Sequence, residues 1–139
     1  MKKKFPIILS WCLVFACMGV IFYFSSQDGD ESQALSDSIK IIFGIPVRVS
    51  VLRKIAHFVE FAALAALVFN AFRQTYGHCC PYLSFFITAA YAATDELHQL
   101  FVPGRAGMIS DVFIDSLGAA SAIGILMLIK FIAEKRRTV

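Results

Sequence analysis

Ten side chains in this sequence are of types and spacings that could do chemistry. Lys54, His57 and Glu60 recur at i, i+3 and i+6, a roughly common face of a helix. Asp95, Glu96, His98 and Gln99 crowd into a single turn, and Arg105, Asp111 and Asp115 follow. Histidines beside carboxylates can serve as base, acid and orienter, or ligate a divalent metal. His57, Glu60, Asp95 and His98 are therefore the catalytic candidates, and the same four with Asp111 are the metal candidates. His57-x-x-Glu60 and Asp95-x-x-His98 are each i, i+3, a spacing that lets two side chains share one ion, although the set matches no standard signature. Lys54 and Arg105 suit phosphate or carboxylate oxygens, and Glu96, Gln99, Asp111 and Asp115 complete the ligand-binding candidates. No Gly-x-Ser-x-Gly elbow is present, so serine hydrolase chemistry gains no support.

These groups sit in, or at the ends of, long apolar stretches. The chain has 139 residues, 58% hydrophobic and 17% charged. A soluble helical domain this apolar would have almost nothing to turn toward water. Four runs reach the roughly 20 apolar residues that a membrane span needs. They lie near Phe5–Phe24, Ile55–Phe72, Tyr82–Phe101 and Val112–Ile132. The expectation is an all-α polytopic membrane protein: one domain over residues 1–139, folded as a four-helix transmembrane bundle. An ionisable group inside hydrocarbon costs roughly 2.5–3.5 kcal/mol even on the lenient insertion scale, so each such group is a functional-site hypothesis.

Lysine and arginine set the expected orientation. With the N-terminus in the cytoplasm, the inner side holds Lys2, Lys3, Lys4, Arg73, Lys130, Lys135, Arg136 and Arg137. The outer side holds Lys40, Arg48, Arg53, Lys54 and Arg105. Both termini are then cytoplasmic, and the +3 net charge reads as membrane orientation and not as a nucleic-acid surface. The first helix lacks a small-x-small cleavage site and is expected to stay uncleaved. Cys12 and Cys17 fall in the first span, and Cys79 and Cys80 in a short inner loop beside His78, without a second pair to complete a zinc set. In the long loop 25–53, Leu35, Ile39, Ile42 and Phe43 form an apolar stripe opposite Ser36, Asp37 and Lys40, closed by Gly44 and Pro46. This predicts a short interfacial helix between helices 1 and 2.

Topology would bring the charged ends of helices 2, 3 and 4 to one side. Ser84, Thr88, Tyr91, Asp95 and His98 form one polar stripe down helix 3, which must face protein. Asp111 and Asp115 share a helix 4 face with Gly118, Ala119 and Ala122, a face made for close packing. Each piece has a plainer reading. Ser110 and Asp111 can cap helix 4, Pro103-Gly104 can build a turn, and Arg53 and Lys54 can snorkel. Capping does not explain Glu60, Asp95 or Asp115, which lie inside spans. A purely structural polar network is the alternative to a binding or catalytic pocket.

The segments 53–62 (RKIAHFVEFA), 91–105 (YAATDELHQLFVPGR) and 111–118 (DVFIDSLG) resemble the VanZ-like membrane protein family, as does the helix 1 exit, Phe24-Ser-Ser-Gln27. The resemblance covers nearly the whole chain. It implies a small bacterial plasma-membrane protein tied to teicoplanin-type glycopeptide tolerance, with no agreed reaction. His57, Glu60, Asp95, Glu96, His98, Gln99, Arg105 and Asp111 match as motif positions. Residue 115 departs, being Asp where many relatives are expected to carry Asn.

Two functions are compatible with these residues. One is an outer-leaflet pocket that binds a membrane lipid, a lipid-linked cell-wall precursor or a lipoglycopeptide antibiotic. The other is an intramembrane, metal-dependent enzyme acting on a lipid headgroup or lipid-linked precursor. An ion-coupled transporter is disfavoured, since four helices are few for alternating access and no matched broken helices occur.

Overall fold

The computed structural model of the chain describes residues 4–28, 34, 38 and 49–137. Among these, all regular structure is helical: α1 (Lys4–Ser26), α2 (Val49–Tyr76), α3 (Pro81–Gln99) and α4 (Ile109–Lys135). Three of them, α1, α2 from Ser50 and α4, are long and apolar enough to cross a membrane. The fourth expected span, 82–101, corresponds to α3, which is not in that class. It has 19 residues and ends in the polar turn that holds Asp95, Glu96 and Gln99. The expected interfacial helix, with Leu35, Ile39, Ile42 and Phe43, lies outside the described residues.

Local chemistry sets the helix ends. Gly77 takes φ 81° and its N–H bonds the Arg73 carbonyl at 2.9 Å, closing α2. Pro81 occupies the first turn of α3, where a missing N–H costs nothing. Gly104 takes φ 70° after Pro103, and the Arg105 N–H reaches the Val102 carbonyl at 3.1 Å. This is the type II turn that a Pro-Gly pair favours.

The core is built around α2. Phe61, Leu64, Val68, Ala71 and Phe72 are buried with Val14 and Ile21 of α1 and Ala92 of α3. On the other flank Ala65 and Phe69 pack on Ala119 and Ile123 of α4. Trp11 stands edge-on to Phe72 at 5.3 Å and donates to Thr75 Oγ1 at 3.1 Å. The polar stripe of α3 faces inward: Ser84 and Thr88 are buried and bond back to the carbonyls of Cys80 and Ser84. Large apolar side chains, among them Phe86, Phe113 and Phe131, cover the outer faces, as expected of a surface that meets lipid.

Gly118 is where α4 crosses α2. A Cβ added there would stand 2.3 Å from the Phe58 carbonyl oxygen, so the backbones would have to separate. Gly118→Ala is expected to cost about 1–3 kcal/mol, as overpacking of a fitted interface does. The unfolding midpoint of the detergent-solubilised protein measures it, and an unchanged midpoint would contradict this crossing.

Candidate functional site

The C-terminal ends of α1 and α3 meet the N-terminal ends of α2 and α4, so the charged segments share one end of the helix assembly. Its centre is a buried hydrogen-bond network. Ser25 Oγ donates to Asp95 Oδ2 at 2.7 Å. Gln99 Nε2 reaches Ser25 Oγ at 2.8 Å, Asp95 Oδ2 at 3.1 Å and Glu96 Oε1 at 3.3 Å. Asp95, Glu96, Gln99 and Ser25 are all buried. The i, i+4 spacing of Asp95 and Gln99 puts both on the α3 face that meets α1. Tyr91 belongs to the same face and donates to the Met18 carbonyl at 2.7 Å.

The α3–α4 loop is tied down from two sides. The Met108 N–H donates to Glu96 Oε2 at 2.8 Å. Arg105 donates through Nε to the Gln27 carbonyl at 3.1 Å and through Nη2 to the Phe24 carbonyl at 2.9 Å. Arg105 thus clamps the loop to the end of α1. Burial, and then the charge of Arg53, lower its pKa from the ordinary arginine value, but a guanidinium stays protonated. Gly107 lets the loop lie against α3, since a Cβ there would stand 2.4 Å from the Glu96 carbonyl oxygen.

The N-terminus of α4 differs from the capping arrangement expected of Ser110 and Asp111. Met108 is the N-cap residue and makes no side-chain cap. Ser110 instead donates to Asp111 Oδ1 at 3.0 Å, and Asp111 forms an ion pair with Lys54 of α2. Asp111 remains in the first helical turn, where a negative charge is favoured.

A cleft of about 240 Å³ opens beside this pair, with walls that include Arg53, Lys54, His57, Gln99 and Asp111. Lys54, His57, Gln99 and Asp111 were legible as candidates in the sequence. Arg53 and Ser50 were not singled out as site residues. The signal was there, because Ser50, Arg53, Lys54 and His57 follow i, i+3, i+4 and i+7, one helix face.

Beneath the cleft, His57 Nδ1 faces Asp115 Oδ1 at 3.9 Å. Asp115 is fully buried. His57 Nδ1 and both Asp115 carboxylate oxygens are buried without hydrogen-bond partners among the described residues, as is Asp95 Oδ1. One ligand atom from each of His57, Glu96 and Asp115 lies within 4.8 Å of the others. Of the metal candidates Glu60, Asp95, His98 and Asp111, none belongs to this group. His98 faces α1: its ring stacks on Phe22 at 4.5 Å and Nε2 lies 3.1 Å from Ser26 Oγ. Glu60 is half-buried, one turn further along α2, with Asp95 and Arg105 as electrostatic neighbours.

The VanZ/LLP1 family model matches residues 10–130, a range that contains every residue of this site. No curated protein and no solved structure matches the chain.

Proposed function

We infer that this chain, which belongs to the VanZ/LLP1 family, is a multi-pass membrane protein that binds an anionic headgroup in the cleft at the α2–α4 entry. The observation that carries this reading is the cleft itself, where Arg53 and Lys54 stand among hydrogen-bonding side chains beside apolar outer faces. A guanidinium next to an ammonium suits phosphate or carboxylate oxygens. The exposed aromatic and aliphatic surface suits the acyl part of the same molecule. The ligand class is then a membrane lipid, a lipid-linked wall precursor or a lipidated glycopeptide.

The lysine and arginine bias supports cytoplasmic termini and a cleft in the outer leaflet of a bacterial plasma membrane. The inward polar stripe of α3 supports a fourth crossing, because its buried face needs no lipid contact. Single cysteines placed at Gln27 or Ser50 of a cysteine-free variant should react with an impermeant maleimide in intact cells. Labelling only after permeabilisation would reverse the orientation.

In a susceptible Gram-positive host, expression should raise tolerance to teicoplanin-type, lipidated glycopeptides more than to vancomycin. A cleft in the outer leaflet can sense a lipid tail and the headgroups around it, whereas vancomycin engages the wall without needing the bilayer. Equal tolerance to both drugs would remove the outer-leaflet cleft from the explanation.

The second reading is an intramembrane enzyme acting on a headgroup. It is favoured by His57 on the cleft wall with the buried Asp115 carboxylate 3.9 Å behind its Nδ1, a candidate base with a carboxylate close enough to orient it on a small approach. Release of a headgroup from anionic lipid vesicles by the purified protein, lost in His57→Gln, would establish it over simple binding.

A further inference from the structure

We propose that His57, Glu96 and Asp115 form a binding site for one divalent cation of the kind that accepts mixed nitrogen and oxygen donors, such as Zn²⁺ or Mn²⁺. The three residues come from three different helices, α2, α3 and α4, yet their ligand atoms converge to within 4.8 Å of one another. That separation suits donors around one ion after a small contraction, since metal–ligand bonds to imidazole and carboxylate are about 2.0–2.2 Å long.

An acidic cluster alone would not carry this inference. The second observation is the unmet hydrogen-bonding capacity at the point of convergence. Asp115 is 0% exposed, and neither of its oxygens has a partner among the described residues. His57 Nδ1, facing it, is also buried and unpartnered. Buried polar atoms are nearly always satisfied, so three such atoms on two facing residues leave room for a partner between them. One divalent ion would meet the imidazole nitrogen and the carboxylate oxygens together.

Glu96 is already oriented for the task, held by the Met108 N–H on Oε2 and by Gln99 on Oε1, with lone pairs left on each oxygen. His57 is also a wall of the cleft, so coordination positions left open by three protein ligands would be reached from there. The site stands whether or not the cleft binds a headgroup, because metal content is measured on the protein alone.

The test uses the full chain in detergent, stripped with a chelator, re-equilibrated with Zn²⁺ or Mn²⁺ alone and freed of unbound ion. Elemental analysis should find about one ion per chain in the parent and in His78→Gln, whose histidine lies in the α2–α3 loop at the opposite end. Asp115→Asn, His57→Gln and Glu96→Gln should each weaken binding at least tenfold. The cation should raise the melting temperature of the parent and not of Asp115→Asn. With Co²⁺ in place of Zn²⁺, folded His57→Gln should show a visible absorption band shifted from that of the parent, as loss of one nitrogen donor requires. An ion content no higher than that of a protein-free blank would overturn the proposal. So would equal binding by the parent and folded His57→Gln. An Asp115→Asn protein more stable than the parent, with neither binding the ion, would assign the cluster to protonated acids.

Discussion

Asp95→Ala is expected to destabilise the protein by about 1–3 kcal/mol, the cost of leaving buried hydrogen-bonding groups without their acceptor. Asp95 Oδ2 is the acceptor for the Ser25 hydroxyl and for Gln99, and through them it joins the end of α1 to α3. Without the carboxylate, the Ser25 hydroxyl loses its buried acceptor and a void opens beside it. The effect should reach the site, since Gln99 also contacts Glu96 and lines the cleft. Thermal and denaturant unfolding of the purified protein would measure it. Asp95→Asn keeps the shape and one acceptor and should fall between parent and Ala. An Ala variant as stable as the parent would show that the Ser25–Asp95–Gln99 network does not join these helices.

The second large effect concerns the cleft. Arg53→Glu should weaken binding of an anionic headgroup by about 10- to 100-fold, since a hydrogen bond to a charged group contributes about 1.5–3 kcal/mol. Reversal adds repulsion to the loss of the donor. Arg53 is the informative position because Lys54 is already engaged by Asp111, so changing Lys54 would strand a carboxylate. Calorimetric titration with short-chain phosphatidylglycerol in detergent would read the change, and a zwitterionic short-chain lipid provides the control. Unchanged affinity in a folded Arg53→Glu protein would remove the cleft as the headgroup site. The Arg105 clamp sets a contrast: Arg105→Ala should lower stability rather than headgroup affinity, because its Nε and Nη2 donors are held by the Gln27 and Phe24 carbonyls, respectively.

Much of this was legible in the chain before any coordinates. Hydrocarbon-length apolar runs dictate helices, because a backbone in lipid must satisfy its own hydrogen bonds. Charged residues inside such runs cannot face lipid, so the inward stripe of Ser84, Thr88 and Asp95 followed from periodicity alone. Pro103-Gly104 could hardly be anything but a tight turn, and the spacing of Asp111, Asp115 and Gly118 announced a closely packed face.

What periodicity could not decide was which inward group meets which. The i, i+3 pairs His57/Glu60 and Asp95/His98 suggested shared ions along single helices. Tertiary packing brings ligand atoms of His57, Asp115 and Glu96, from three helices, within 4.8 Å of one another, and turns His98 toward Phe22 and Ser26 of α1. The reason is geometric: residues three apart on a helix diverge by some tens of degrees, and only the crossing of neighbouring helices selects the one that points to a common centre. Arg105 shows the same limit, since a loop arginine reads in sequence as a free ligand contact until the path of α1 brings two backbone carbonyls to it. Helix existence and the sidedness of the charged ends are local properties of the chain. Partner choice in the buried network depends on how closely α4 can approach α2 at Gly118, which only the packed structure decides.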